Sequence, residues 1–531
     1  LIILALFSQL PAHAATFTVT NLNDSGTGSL RQAILNANNA VGDDTIVFQA
    51  GLNGFLLTSG GFTITGNLTI NGPGAGLTIN GNNAQRIFTI NNSVIAIFSD
   101  LKLQNGGIEN DGGTLTLSNS TIQDSDWSYS GAAIYNRSGT LTVNNSILSN
   151  NTTDSSGGAI AAFSGITTVN NSVLSDNFTS YSGGGIYNDA GTLTVNNSTL
   201  SSNSAREGGG IYNAHSLSSL AVNSSTLSGN TALYGGGGIY HPSGTMIVRN
   251  STLSGNSALG NASAGGYGGG GIYISGTATL INSTLSGNSA PAPSARGGGI
   301  RLTGVLSIGN SLVAGNISPT GKEVYSSGTF TSLGDNLFGE SGSSGLVNAS
   351  PIASDLILPG PIGAAIGPLA PNGGPTLTHL PVAGGPAIDA GNNTLTQSAG
   401  LTTDQRGLAR IIGGIVDIGA VEAGASPTDY NPLHSDFDGD GVDDLAGVTS
   451  AGGIYYSTNL ISWTHIPGIL TRLVAGDFNG DGWADLAGVT SAGGIYYSTN
   501  LSTWTHIPGT LSRLVAGDFN GDGRADLAGV T

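Results

Sequence analysis

The chain has 531 residues, of which 87 are glycine, none is cysteine and only 9% are charged. A formal net charge of −18 makes nucleic acid and anionic lipid poor partners for the molecule as a whole. Its 38% hydrophobic residues recur on a period, which excludes disorder, and without disulfides the fold must hold by packing alone.

Residues 1–14 read as a truncated secretory leader. Leu1 to Phe7 is an apolar run, and Ala12-His13-Ala14 is a small-x-small cleavage site. The run is too short to span a bilayer, and no other stretch is long and apolar enough. From Ala15 to Phe48 the pattern predicts an end cap of strand, helix and strand, with Ser29 and Gln32 as a capping box and Leu30, Ala33, Ile34 and Ala37 at helical spacing.

Beyond Phe62 short alternating segments follow one another, separated by Gly or Asn, and from Gly131 they become regular. The isoleucine after each glycine run falls at Ile134, Ile160, Ile186, Ile211, Ile239, Ile272 and Ile300, in steps of 25 to 33 residues. A period near 26 with strand chemistry predicts an all-β solenoid in which these isoleucines stack. Leu193 and Val195 should face inward, with Thr192 and Thr194 outward. Leu148, Leu174, Leu200, Leu227, Leu253 and Leu285 form a second inward column. Each is followed three residues on by Asn (Asn151, Asn177, Asn203, Asn230, Asn256, Asn288), and a further column runs through Asn145, Asn171, Asn197, Asn250, Asn282 and Asn310. Both columns are expected to form stacked amide ladders rather than glycosylation sites.

These paired Gly-Gly-x-Ile and Leu-x-x-Asn elements resemble polymorphic outer-membrane protein repeats, which carry Phe where this chain has Leu. The resemblance implies a right-handed parallel β-helix of the pectin-lyase-like kind over 15–342. Residues 343–423 are rich in Pro and Gly, and Asp404-Gln-Arg-Gly and Val416-Asp-Ile-Gly resemble the choice-of-anchor Q segment, which implies a terminal cap and surface targeting. Asp389, Asp404, Arg406 and Asp417 are expected to pair with one another. A linker over 424–435 leads to a 41-residue repeat over 436–531, four strands to the unit, which predicts an incomplete β-propeller-type module. From Asp429 onward there are twelve Asp against three Arg, a net of −9.

That repeat carries the sharpest chemical signal. Asp436, Asp438, Asp440 and Asp444, then Asp477, Asn479, Asp481 and Asp485, then Asp518, Asn520, Asp522 and Asp526 place oxygens at positions 1, 3, 5 and 9 of a tight loop, with glycine at position 6. Oxygen donors at this spacing suit a hard cation, and calcium is the expected cofactor. Position 12 is glycine, which rules out an EF-hand. The loops resemble FG-GAP and VCBS repeats, which implies calcium held within a β-hairpin. Trp463, Trp504, Tyr455, Tyr456, Tyr496 and Tyr497 are expected in the blade core.

On the solenoid, Tyr135, Tyr187, Tyr212, Tyr240 and Tyr273 form an outward column, interrupted by Ala161 and Arg301, that could hold a sugar chain or stack for stability. Asp124, Asp126, Asp154 and Asp176 read as solvated turn carboxylates, too far apart to chelate together. His215 and His241 lack evident carboxylate partners, so no catalytic triad is supported. The sequence therefore points to a secreted or cell-surface calcium-binding adhesin whose partner is a glycan or a host or cell-surface protein. A polysaccharide lyase or glycoside hydrolase, and a structural spacer, are the alternatives. The residues favour a protein without catalysis.

Overall fold

The computed structural model describes residues 14–424 except 74–76, 84–85 and 261–267, and from 433 onward all but 436, 438–443, 449–452, 459–463, 482, 512, 518–523 and 531. Most of the expected leader and linker thus lies outside the described residues, as does Trp463. The chain divides into two compact units: Leu1–Arg406 with Arg410–Ala423, and Gly407–Ala409 with Gly424–Thr531.

One coil shows how sequence becomes solenoid. Ile186–Asp189, Thr192–Asn196, Thr199–Ser201 and Ser204–Glu207 are strands, and the next coil begins at Ile211. Leu193 and Val195 are fully buried while Thr192 is exposed, so the alternation is that of a strand with one face on a core. Corners fall where the backbone turns left-handed, at Asn197 (φ 47°), Ser202 (φ 55°) and Gly208 (φ 63°). The glycine run is steric: a Cβ on Gly209 would lie 2.5 Å from the Gly237 carbonyl oxygen of the next coil.

Repeated, the coil builds three parallel sheets of 13, 12 and 13 strands and a fourth of six. The first holds Thr192–Asn196, the second Ile186–Asp189, the third Thr199–Ser201 and the fourth Ser204–Glu207. Ile134, Ile160, Ile186, Ile211, Ile239, Ile272 and Ile300 are register partners in unbroken succession. So are the leucines from Leu148 to Leu285, with Val313 after them. At the N-terminal end the helix Leu30–Asn39 buries Leu30, Ala33, Ile34 and Ala37. Ser29 caps it by accepting from Gln32 N, but the Gln32 side chain donates to Asn36 instead of closing the box.

The two asparagine columns differ. In the Leu-x-x-Asn column each amide donates to the next across 2.9 Å, from Asn151 through Asn177, Asn203, Asn230, Asn256 and Asn288 to Asn316. This ladder is buried. It ends on Glu323, whose Oε2 accepts from Asn316 Nδ2 at 2.6 Å. The column from Asn145 to Asn310 is a set of left-handed corners instead, with φ between 44° and 48°. Asn tolerates that conformation, and Ser224 adopts it too at φ 47°. The amides that stack beside these corners precede them, at Asn144, Asn170, Asn196 and Asn223. A further ladder inside the second sheet runs Asn188, Asn213, His241, with His241 fully buried and bonded to Asn213 and the Thr277 carbonyl.

The segment expected as a terminal cap first extends the solenoid. Leu346–Val347 joins the second sheet and Leu356–Ile357 the third. The chain then runs back along the outer face of the third sheet. Thr396 bonds Asn282, Ala420 N bonds the Thr284 hydroxyl, Asn250 bonds the Thr403 carbonyl, and Gln405 lies between the hydroxyls of Thr226 and Thr252. Threonines at this register supply the hydrogen-bonding groups of that seam. In earlier coils Ile147 and Val173 at this register are 45% and 37% exposed, whereas Thr226, Thr252 and Thr284 are buried. Asp404 and Arg406 pair as expected, at 2.8 Å, and Asp417 accepts from Asp389 N. Two charges not singled out in the sequence complete this cluster: Arg410 donates to the Asp417 and Gly419 carbonyls, and Glu422 accepts from Asp417 N and Ile412 N.

In the second unit the 41-residue repeat forms two four-stranded antiparallel sheets, spanning Leu433–Ile469 and Arg472–Thr510, and a further strand pair, Arg513–Gly517 with Asp526–Val530. Ile454, Ile466 and Leu486 are buried, with Tyr456, Tyr496 and Trp504 packed half-buried against them, and Tyr497 packs on a second cluster around Val489. Tyr455 instead lies against His465.

Candidate functional site

The tyrosine column is a continuous ladder. Tyr187 and Tyr212 stack with centroids 5.4 Å apart, Tyr212 and Tyr240 at 5.1 Å, and Tyr240 and Tyr273 at 4.5 Å with only 10° between ring planes. The interruption at Ala161 is filled from two residues on. Phe163, outward on the same strand, lies 5.5 Å from Tyr135 and 5.4 Å from Tyr187. At the other break the Arg301 guanidinium sits 5.9 Å from the Tyr273 ring and 5.7 Å from that of Tyr325. Tyr240 and Tyr273 are only 7% and 9% exposed, so of the two uses expected of this column the geometry supports stacking. Rings that cover one another's faces present edges, and a pyranose has no open face to lie on here.

Open faces occur one sheet away. Hydrogen bonds place Tyr129, Ser155 and Tyr181 at equivalent positions of successive coils, and Arg206 follows. Pairing of Glu207 with Gly235 sets Tyr234 beyond it, and the Arg206 guanidinium lies 4.9 Å over the Tyr234 ring. Tyr129 is 71% and Tyr181 57% exposed. They stand two coils apart, about 9.6 Å at strand spacing, with only Ser155 between. Trp127 packs 6.0 Å from Tyr129, above the buried Arg86, which donates to the carbonyls of Ser130, Gly131 and Ala132 and so fixes the turn.

Charged groups lie along the two columns. Asp111 and Arg137 form an ion pair at 2.6 Å. Glu207 is half-buried, and burial pushes its carboxyl up against the opposing pull of Arg206. Burial raises the Tyr187 and Tyr212 phenols to about 12, with Asp189 adding to both and Glu207 to Tyr212, so both are neutral hydrogen-bond donors. Asp124, expected as a solvated turn carboxylate, accepts from the Gln104 and Gln123 amides.

Of the three acidic loops the second is the best described. Asp436, Asp438, Asp440, Asp518, Asn520 and Asp522 lie outside the described residues. Asp477 accepts from Gly480 N, Asn479 accepts from Asp481 N, and Asp481 accepts from Trp483 N. The loop is thus folded by its own Asx turns. Asp485 is buried, accepts from Phe478 N, and is pushed up to about 6 by burial first and then by the Asp481 and Asp477 charges. Asp444 makes the same bond to Phe437 N. Among the described residues no three acidic or histidine side chains converge as a metal shell. The donors are hard oxygens, and Asp485 with its two acidic neighbours is the arrangement a hard cation relieves.

Residues 106–290 match the family described as "Right handed beta helix region", and residues 477–529 match the FG-GAP-like repeat. The chain therefore carries a right-handed parallel β-helix and a C-terminal FG-GAP-like segment. No curated protein matches it. Among solved structures, a mannuronic acid specific polysaccharide family 6 lyase enzyme from human gut microbiota is similar over 64% of this chain and 91% of its own, at 11% identity and a TM-score of 0.30. That degree of likeness says nothing about activity. Among the described residues no helix is long and apolar enough to cross a membrane.

Proposed function

We propose that the protein is a secreted or cell-surface β-helix that holds a linear glycan lengthwise along its open aromatic column, beside the closed ladder, with FG-GAP-like repeats stabilised by calcium. The observation that carries the reading is the open column: Tyr129 and Tyr181 are exposed beside a closed ladder in which the Tyr187 and Tyr212 phenols stay neutral. Exposed rings bind the apolar face of a sugar, and neutral phenols bind its hydroxyls. Tyr129→Ala/Tyr181→Ala is expected to weaken binding to a panel of linear polysaccharides by tenfold or more, measured by affinity electrophoresis, with the thermal unfolding profile unchanged. A spacer would bind nothing before or after the substitution.

A polysaccharide lyase or hydrolase on the same face is the second reading. It is favoured by Glu207, a carboxyl raised by burial beside the Tyr212 phenol with Asp189 nearby. Incubation with polysaccharide, followed by near-ultraviolet absorbance for unsaturated ends and by a reducing-end assay, separates the two readings. Product that disappears in Glu207→Gln assigns catalysis, and no product leaves a binding protein.

In the C-terminal repeats Asp477, Asn479, Asp481 and Asp485 would hold the calcium, whose charge would offset their mutual repulsion. Calcium at tenfold its dissociation constant is expected to stabilise the repeats by about 1.4 kcal/mol per loop. The gain should appear as a rise in melting temperature that Asp481→Ala reduces. A melting curve indifferent to calcium contradicts the assignment.

A further inference from the structure

The aromatic face is not uniform in charge. From Gly208 to Lys322 the chain contains no Asp or Glu at all, and beside the columns it places Arg296, Arg301 and Lys322, while Arg249 lies in the first sheet. Those three cations stand inside a chain of −18. The acidic groups of the face, Glu109, Asp111, Asp189 and Glu207, all precede this stretch. Glu323, which follows it, is turned into the core and is 1% exposed.

The arginines are also placed. Of the six guanidinium–ring contacts among the described residues, five lie along the two columns. Two guanidinium groups converge on one ring: Arg301, taking the ladder position between Tyr273 and Tyr325, and Arg296, which is exposed and 4.6 Å from the Tyr325 ring. Guanidinium donates two parallel hydrogen bonds to a carboxylate or sulfate, and stacking on a ring holds its plane in place.

We infer that the glycan held on this face is a linear acidic polysaccharide, its anionic groups seated at Arg296 and Arg301 while its sugar rings run back along the open column toward Tyr181 and Tyr129. The inference rests on the glycan-binding reading and adds the charge class of the ligand. It fits the net charge of the molecule, because the field near the surface is set by the closest groups within about a Debye length of 8–10 Å.

The test uses the full chain with polygalacturonate, dextran sulfate, neutral dextran and duplex DNA as probes. The wild type is expected to bind polygalacturonate or dextran sulfate at least tenfold more tightly than neutral dextran and DNA, and added salt should weaken that binding. The tighter of the two identifies carboxylate or sulfate as the group recognised. Arg296→Ala/Arg301→Ala is expected to lose that preference by tenfold or more. If the double variant does not fold, exposed Arg296→Ala alone is measured, with a loss of at least threefold expected. Neutral dextran bound as tightly as the acidic polymers, or arginine variants that bind like wild type, would overturn the inference and leave glycan binding standing. DNA bound equally well also overturns it, as general polyanion attraction. A chain that binds no polysaccharide overturns both.

Discussion

Asn203→Ala is expected to lower the stability of the β-helix by about 4 kcal/mol, read as an earlier urea midpoint by far-ultraviolet circular dichroism. Asn203 accepts from both Asn177 N and Asn177 Nδ2, and it donates to the Leu174 carbonyl and to Asn230. The site is fully buried, so water cannot replace what is lost. Each buried group left without a partner costs about 1–3 kcal/mol, and here two donors of Asn177 lose their acceptor while one carbonyl loses its donor. The control is Asn196→Ala. Its ladder has the same 2.9 Å spacing but lies half-buried, where water substitutes, and its cost is expected to be under about 1 kcal/mol. Equal costs at the two sites would contradict the burial argument.

Glu323→Gln is expected to stabilise the protein by about 4 kcal/mol at pH 8 and by almost nothing at pH 4. Glu323 ends the buried amide ladder with a carboxyl where the ladder calls for an amide. Burial pushes that carboxyl up to about 8, opposed by the Asn316 hydrogen bonds and reinforced by Glu340. Below its ordinary value of 4.5 the group is protonated in both folded and unfolded chains and contributes no pH dependence. Between 4.5 and about 8 the unfolded chain ionises first, so the native state loses stability as pH rises. Above about 8 both forms are ionised and the penalty is constant. Glutamine offers the same acceptor oxygen to Asn316 without a charge. The variant should therefore lack the downward slope of stability between pH 5 and 8, and a wild-type slope retained in the variant contradicts the assignment.

What could be read from the sequence is what repeats locally. The isoleucine, leucine and Leu-x-x-Asn columns each recur with one residue type at one period, and each appears as expected. The N-terminal helix was equally legible, because its cap and its apolar stripe lie within ten residues. The open column carries no such signal, because its positions hold Tyr129, Ser155, Tyr181, Arg206 and Tyr234. The period is kept while the chemistry changes. Phe163 was missed because it fills the ladder from a neighbouring position, out of phase with the column it completes. The corner asparagines were misread because Asn serves both an amide ladder and a left-handed turn, and only the backbone separates the two uses. Gln405 bonds across 179 residues to Thr226, and no local pattern announces a contact of that kind.

From Tyr129 along the open column to Arg296 there are six coil steps, about 29 Å at strand spacing. The most direct measurement is the affinity of the full chain for galacturonate oligomers of increasing length. A ligand lying along the open column gains contacts with each added sugar, so affinity should climb from the disaccharide until the oligomer is as long as the column and then level off. A disaccharide that binds as tightly as the longest oligomer would contradict a lengthwise site.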